Sequence, residues 1–278
     1  MEENLPRQFA LIAGRGVYPR LLAESARRQG VDRIFAIAFK RETERAIGRL
    51  VDEIRWMSIG QFSNLLDALR ESGMKHVVMA GLITPSSLFH VRPDARALAI
   101  LTSLPQKNAH SIFGAVVDEI RNLGMDVLPA SAFMASHMPG PGLLTARAPT
   151  DLELRDVGIG VKVARLVSDI DIGQTVVIKG GAILAVEAFE GTDETIRRAG
   201  RIGGDGAVVV KLAKRGHDMR FDIPVVGLNT LAVLNKAGAR VLAVQAGRAI
   251  VLEKEKVIAK ADKMGLCITV LPPPEGQS

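Results

Sequence analysis

Over its first 130 residues, the sequence alternates short apolar runs with longer amphipathic stretches. Runs of this kind are Phe9–Ala13, Ile34–Phe39 and His76–Ala80, and the stretches between and after them place apolar residues at helical spacing. A continuous apolar run of strand length is typical of a strand buried on both faces. Strands that alternate with helices of this length predict a mostly parallel, doubly wound sheet.

The alternation breaks where turn-forming residues are dense, at His137–Gly142. We therefore predict a Rossmann-like α/β domain over residues 1–132, a linker over 133–150, and a second domain over 151–278. In that second part, two strand-like runs are joined by Gly180-Gly181, which indicates a hairpin, and further helices and strands follow. The predicted fold is thus α/β, with a parallel sheet first and a mixed α/β domain second.

Composition removes several classes of function. Aromatic residues make up only 4% of the chain, too few for the stacking surfaces of single-stranded nucleic-acid binders. Cys267 is the single cysteine, so an intrachain disulfide is excluded, and no apolar run approaches the roughly 18 residues of a membrane span. We expect a cytoplasmic protein without a nucleic-acid partner.

The net charge of +6 has two interpretations. Basic residues are spread along the chain, so an ordinary solvated surface explains them. A mildly basic protein is also suited to an anionic phosphate ligand or to the surface of an anionic membrane.

Glycine-rich turns follow two of the predicted strands. Gly14-Arg15-Gly16 lies between a strand and a helix, where backbone N–H groups and the helix dipole favour an anion. Pro19 replaces the third glycine of a dinucleotide fingerprint, and Lys40-Arg41 stands where NAD binding needs an acidic residue. A phosphate or nucleotide-sugar site and a plain tight turn both remain open. The candidates for substrate contact here are Gly14, Arg15, Gly16, Gly81, Ile83 and Thr84.

Two acidic clusters lie in the second half. The first, Glu187–Glu194, runs from a strand through a glycine turn into a helix, where Thr192 or Asp193 is a natural N-cap. Capping explains part of this cluster but does not require Glu187.

The second acidic cluster surrounds Asp222, which stands between Phe221 and Ile223-Pro224. A surface carboxylate in that apolar frame favours a functional role over a local cap. An aspartate can hold Mg²⁺ or orient water, while neighbouring cations such as Lys211 and Arg220 neutralise phosphoryl charge. The five histidines share no metal-ligand spacing, and the signatures of zinc hydrolases and calcineurin-like phosphoesterases are absent.

At these motifs the chain resembles a known enzyme family. The resemblance rests on Leu11–Pro19, Gly173–Val177, Ala185–Asp193 and Met219–Gly227, and it covers nearly the whole length. The family is that of the UDP-2,3-diacylglucosamine hydrolases, which serve lipid A biosynthesis where the calcineurin-like enzyme is missing.

The resemblance implies Mg²⁺-dependent (or Mn²⁺-dependent) hydrolysis of UDP-2,3-diacylglucosamine to UMP and 2,3-diacylglucosamine 1-phosphate (lipid X). Water would attack the β-phosphorus, with the ligand held between two domains. The assigned catalytic residues are Asp222, Asp193 and Lys211, of which Asp222 and Asp193 would hold the metal. Substrate contacts in the second half are assigned to Gln174, Glu187, Ala188, Thr192 and Arg220. A homo-oligomer and peripheral contact with the inner membrane are also expected.

Two other functions remain open at this point. A Rossmann-type oxidoreductase would share the first fold, although Pro19 and Lys40-Arg41 count against it. A non-catalytic sensor of nucleotide sugars would share the ligand site but would show no turnover.

Overall fold

The chain folds into two compact units in the computed structural model, which describes residues 5–83, 93–106, 109–213, 218–221 and 223–273. The first unit comprises the described residues up to Ala135 together with 218–221, and the second comprises the described remainder. The chain therefore returns to the first unit for one short segment before it completes the second. The predicted linker, 133–150, spans the division at residues 135 and 136, and its Gly142–Leu143 forms a strand of the second unit.

The first unit is built on a parallel sheet of five strands in the order β3-β2-β1-β4-β5. The predicted Rossmann-like parallel sheet is confirmed, and its order is that of the first five strands of the Rossmann fold. Short 3-10 turns occur at Arg45–Arg49 and Ala135–His137. The strands are β1 (Gln8–Ala13), β2 (Arg33–Phe39), β3 (Glu53–Met57), β4 (His76–Ala80) and β5 (Asp126–Val127), and the helices are α1 (Tyr18–Arg28), α2 (Phe62–Ser72), α3 (Ala95–Ser103) and α4 (Ala109–Asn122).

Local sequence explains where these elements begin and end. Pro19 occupies the first turn of α1, where its missing N–H is not needed. Gly73 ends α2 in the left-handed conformation, with φ 68°, which glycine adopts without steric cost. Strand β3 was not predicted, because its exposed Arg55 interrupts the apolar pattern of the buried strands. It lies at the sheet edge, where one face is solvated.

The second unit contains a mixed sheet in the order β6-β13-β11-β9-β7-β8, and a short parallel ladder joins β10 and β12. In the sheet, β9, β11 and β13 are parallel, whereas β6, β7 and β8 run antiparallel to their neighbours. The strands are β6 (Gly142–Leu143), β7 (Thr175–Lys179), β8 (Ala182–Val186), β9 (Val208–Lys211), β10 (Val225–Val226), β11 (Val241–Gln245), β12 (Ile250–Val251) and β13 (Cys267–Leu271), and the helices are α5 (Asp151–Asp169), α6 (Thr192–Gly203), α7 (Leu228–Lys236) and α8 (Lys254–Lys263).

Helices cover both faces of this sheet. One apolar cluster joins α5 to β7, β9 and β11, and another joins α6, α7 and α8 to the opposite face. The predicted hairpin between β7 and β8 is confirmed. The buried Asp156 holds the Gly180-Gly181 turn in place, because its carboxylate accepts hydrogen bonds from both glycine N–H groups at 2.7 Å.

Among the described residues, no helix combines the length and the apolar character needed to cross a bilayer.

Candidate functional site

In the first unit, the two glycine turns meet at the carboxyl ends of β1 and β4, where the strand order reverses. Ligands of open α/β sheets bind at such a switch point. A Cβ atom on Gly14 would lie 2.9 Å from the carbonyl carbon of Gly81, and one on Gly81 would lie 2.8 Å from the carbonyl carbon of Gly14. Neither position has room for a side chain, so both glycines are required by the close approach of two backbone segments.

The N–H groups of these turns are used unequally. Those of Gly14 and Arg15 donate to the carbonyl oxygens of Ala80 and Leu82, at 2.8 and 2.9 Å, and so hold the two turns together. Those of Gly16 and Val17 donate to no group in the described part of the chain. They lie at the amino end of α1, where the helix dipole favours an anion.

The Arg15 side chain is half exposed beside these turns, with its Nε 3.7 Å from the Glu42 carboxylate. Ile83 packs against the core of the first unit. The candidate Thr84 lies outside the described residues.

In the second unit, three predicted site residues, Glu187, Thr192 and Lys211, and the unpredicted Thr175 form a polar cluster. It lies at the carboxyl end of β9 and beside the amino end of α6. Lys211 is the last residue of β9, and its register partner Thr175 begins β7. Glu187 follows β8 directly and donates its N–H to the Thr175 carbonyl. Lys211 and Glu187 are only 8% and 7% exposed, so both charged groups are held largely away from water.

The Thr192 hydroxyl is the centre of this polar cluster. It accepts a hydrogen bond from the Lys211 ammonium at 3.2 Å and donates one to Oε1 of Glu187 at 3.1 Å. The hydroxyl of Thr175, which is fully buried, lies 3.2 Å away and donates to the remaining lone pair of Thr192. One hydroxyl therefore connects a buried cation to a buried anion without direct contact between them.

Two buried acceptors have no partner among the described residues: Oε2 of Glu187, in this cluster, and Oε1 of Gln174, the residue that directly precedes β7. An unsatisfied buried acceptor costs about 1–3 kcal/mol, so such atoms call for an explanation. Both belong to residues that the sequence assigned to substrate binding.

Glycines shape this cluster as well. A Cβ atom on Gly173 would lie 2.0 Å from the Glu187 carbonyl oxygen. Only glycine therefore lets the start of β7 lie this close to the end of β8. Gly191, with φ 82°, is the N-cap of α6. The prediction that Thr192 or Asp193 caps this helix was wrong: the helix begins at Thr192, and the Thr192 hydroxyl serves the polar cluster instead.

The remaining predicted residues of this region are more exposed. Asp193 lies in the first turn of α6, half exposed, with its carboxylate 3.9 Å from the Arg197 guanidinium. Ala188 is exposed and donates its N–H to the Glu190 carboxylate at 3.2 Å.

The segment 218–221 is folded onto the first unit. Met219 accepts a hydrogen bond from the Ala130 N–H at 2.6 Å, and the Phe221 ring lies 5.6 and 5.9 Å from the rings of His110 and Phe113 on α4. These contacts fix the chain immediately before position 222. Asp222 itself lies outside the described residues.

Arg220 and Asp218 form an ion pair within that segment, with Nε donating to Oδ1 at 2.6 Å. Burial raises the pKa of the Asp218 carboxyl, but the hydrogen bonds and charge of Arg220 outweigh it, so that pKa lies below its usual value. Nη1 of Arg220 is buried and has no partner among the described residues.

A divalent-cation site needs several oxygen ligands in one place. The described residues contain no group of three or more His, Cys, Asp or Glu side chains able to hold a metal ion. Mg²⁺ prefers octahedral oxygen coordination, whereas the Asp193 carboxylate faces the Arg197 guanidinium, which also pairs with the neighbouring Glu194. The described residues alone therefore do not form a fitting metal site.

Of the predicted site residues in this region, the fold brings Glu187, Thr192 and Lys211 together. Gln174 is linked to the end of β9 only through its backbone, since its carbonyl oxygen accepts the Leu212 N–H at 3.0 Å. Thr175 was not predicted, although a hydroxyl residue that opens the apolar run Val176–Ile178 was a usable signal.

Two family models and a named relative match this chain over most of its length. The model of the LpxI N-terminal domain matches residues 8–137, and that of the LpxI C-terminal domain matches residues 140–269. A protein of Caulobacter vibrioides named UDP-2,3-diacylglucosamine pyrophosphatase LpxI is 32% identical over 97% of this chain and 99% of its own length. The chain belongs to the LpxI family. Membership of the LpxI family favours neither the oxidoreductase nor the sensor.

Solved structures add little to this. A biotin carboxylase domain of Hydrogenobacter thermophilus 2-oxoglutarate carboxylase gives a TM-score of 0.27 at 15% identity, over 69% of this chain and 40% of that chain. The biotin carboxylase subunit of a pyruvate carboxylase gives 0.26 at 15% identity, over 70% of this chain and 41% of that chain. Similarity at this level carries no argument about function.

Proposed function

We propose that this chain hydrolyses the pyrophosphate bond of UDP-2,3-diacylglucosamine, giving UMP and 2,3-diacylglucosamine 1-phosphate in lipid A biosynthesis. The observation that carries the proposal is the full-length match to a protein named for that activity. The enzyme is thus a hydrolase that acts on a phosphoric anhydride.

The polar cluster of the second unit supports this chemistry. A transferred phosphoryl group gains and redistributes negative charge on its oxygens, and a preorganised cation stabilises that charge best where water is excluded. Lys211 is such a cation: it is buried, and Thr192 fixes its position. We assign Lys211 to a phosphoryl oxygen of the substrate.

We assign the orientation of the attacking water to Asp222. Water forms a new bond to the β-phosphorus while the bridging bond to UMP breaks, and the water proton passes to a base. Met219 and Phe221, just before position 222 in sequence, contact Ala130 and α4 of the first unit. Asp193, more exposed, is the weaker candidate for a catalytic carboxylate.

The requirement for Mg²⁺ or Mn²⁺ is a separate proposal. A divalent cation would neutralise charge on the pyrophosphate. Because the described residues form no complete ligand set, no step of the reaction is assigned to the metal.

The test is to incubate the purified chain with UDP-2,3-diacylglucosamine and Mg²⁺, with and without a chelator, and to measure UMP release. We expect release that the chelator abolishes. Asp222→Ala should nearly abolish release while substrate still binds, whereas exposed Asp67→Ala should behave as wild type. Wild-type rates in Asp222→Ala would remove Asp222 from the catalytic role.

We further propose that the protein self-associates and contacts the inner membrane peripherally. Large apolar side chains that are exposed on one side of α5, at Leu152 and Leu166, support an additional interaction surface. Light scattering would detect the oligomer, and co-sedimentation with anionic vesicles would detect the membrane contact.

A further inference from the structure

Helix α5 carries a stripe of apolar side chains along one side. Leu152, Ile159 and Leu166 follow one another at a spacing of seven residues, close to two helical turns, and Ile170 follows one turn after Leu166. Leu152, Leu166 and Ile170 are each 67% exposed, and Ile159 is half-buried. These four residues, which we call the α5 stripe, extend over about 27 Å at the helical rise per residue.

The side of α5 that packs on the sheet does not include the exposed residues of this stripe. Val157 and Ala164 belong to the apolar cluster between α5 and the sheet, and Gly160 lies against Ile178 and Val210. The helix therefore buries a complete apolar face without the exposed residues of the stripe. Contiguous apolar residues left on a surface mark an interaction site.

The exposed charges beside the α5 stripe are basic. Between residues 154 and 168 the exposed charged side chains are Arg155, Lys162 and Arg165, whereas Asp156 is buried and bonded to backbone N–H groups. Arg155 and Lys162 each follow a residue of the stripe by three positions, so they border it directly. An apolar stripe bordered by cations is complementary to a bilayer that contains anionic lipids.

A second copy of the chain is a poorer occupant of this surface. In a two-fold symmetric contact the same surface meets itself, so Arg155 and Lys162 of both copies would border one seam. These like charges would repel one another, whereas acidic headgroups would attract them. The exposed acidic residues of α5, Asp151 and Asp169, lie at the two ends of the helix and not beside the centre of the stripe.

We infer that the α5 stripe is the surface through which this protein docks on an anionic lipid bilayer. Leu152, Leu166 and Ile170 enter the interfacial region, and Arg155 and Lys162 face acidic headgroups, which long basic side chains reach while their stems stay in apolar surroundings. The inference rests on the proposed function for its purpose, because a substrate with two acyl chains resides in a bilayer. It assigns the proposed membrane contact to one helix.

The first test measures binding to vesicles that contain no substrate. Wild type should co-sediment with vesicles of phosphatidylcholine and phosphatidylglycerol, and added salt should weaken this binding by screening. Leu152→Gln combined with Leu166→Gln should lower the affinity at least about tenfold, because two apolar side chains no longer insert. Leu98→Gln combined with Ile202→Gln changes two exposed apolar residues of α3 and α6, and this matched control should bind like wild type.

The basic residues are tested separately. Arg155→Gln combined with Lys162→Gln should lower affinity for the anionic vesicles about tenfold or more and should reduce the effect of salt. Arg121→Gln combined with Lys236→Gln removes two exposed charges from α4 and α7, so it is the control for net charge and should change the affinity less. Thermal unfolding checks that each variant is folded.

A fluorescent label tests insertion directly. Cys267 is the single cysteine and is buried, so Leu166→Cys provides one accessible thiol for an environment-sensitive fluorophore. The emission should shift to the blue when the anionic vesicles are added, because the label enters apolar surroundings. The same label on Leu98→Cys should show no shift.

Three results would overturn the inference. They are absence of wild-type binding to the anionic vesicles, equal binding by wild type and the Leu152→Gln, Leu166→Gln variant, and conversion of an oligomer to a monomer in that variant with vesicle binding retained. The last result would assign the α5 stripe to a second copy. UMP release from detergent-dispersed substrate, measured without vesicles, should be the same in wild type and all these variants. Its absence in wild type would contradict the proposed function and not the docking surface.

Discussion

At the scale of single residues, the Thr192 hydroxyl connects Lys211, Glu187 and Thr175 in the second unit. The family resemblance assigned Glu187, Thr192 and Lys211 to the site, but it did not predict how they contact one another. Their meeting around one hydroxyl depends on the antiparallel register of β7 with β9, which pairs Thr175 with Lys211 and which residue types do not encode. Thr175 was missed for that reason.

Substitution of Lys211 tests its proposed contact with a phosphoryl oxygen. Lys211→Met keeps the length of the side chain but removes its charge. Loss of one preorganised stabiliser of this kind lowers turnover about 100-fold to 1,000-fold. UMP release measured at saturating substrate should show that loss.

Lys263→Met, on the last turn of α8, is the control for Lys211→Met and should keep the wild-type rate. Equal rates in Lys211→Met and Lys263→Met would show that Lys211 is a structural residue only.

At the scale of elements, the buried strands and the glycine-ended helices were predictable from apolar runs and turn formers. Strand β3 and the short strands β6, β10 and β12 were not, because each is stabilised by neighbours distant in sequence. The close packing of α5 on the sheet could not be predicted from the sequence either, since it depends on one glycine in the helix interior.

Gly160 of α5 tests that packing. A Cβ atom there would lie 2.5 Å from side-chain atoms of Ile178 and Val210, both fully buried. We expect Gly160→Ala to lower the free energy of unfolding by about 1–3 kcal/mol, measured by urea denaturation.

Gly158, two residues earlier on α5, is exposed, and a Cβ atom added there would meet no other atom within 4 Å. Gly158→Ala should stabilise the protein by about 0.5–1 kcal/mol through helix propensity. Similar effects of the two substitutions would contradict the close packing of α5.

The amino end of α5 carries a pH-dependent contact. Glu153 completes a capping box with Thr150 and pairs with Arg147 at 2.6 Å. Burial raises the pKa of the Glu153 carboxyl, but the hydrogen bonds from Arg147 and the Thr150 N–H outweigh it, so the folded-state pKa lies below the ordinary value.

A carboxyl whose folded-state pKa is lowered contributes stability above the ordinary Glu pKa of about 4.3 and loses it as the pH falls through the folded value. Glu153→Gln should therefore reduce the free energy of unfolding at neutral pH, and its difference from wild type should shrink as the solution is acidified. Exposed Glu71→Gln is the control. A difference independent of pH would contradict the assigned charge interaction.

At the scale of the whole molecule, apolar periodicity revealed two α/β folds but not the path of the chain between them. Residues 218–221 leave the second unit to pack on α4 of the first, so the segment that leads to Asp222 depends on a core built from the other half of the sequence. No local sequence pattern predicts that the chain returns to the first unit, because an apolar residue such as Phe221 could belong to the core of either unit.

The proposed reaction is hydrolysis at the sugar-side phosphorus. The most direct measurement is to run the reaction in water enriched in the heavy oxygen isotope and to weigh both products by mass spectrometry. We predict that the label enters the phosphate of lipid X and that UMP stays unlabelled. Label in UMP, or the absence of both products from correctly folded wild type, would contradict the account.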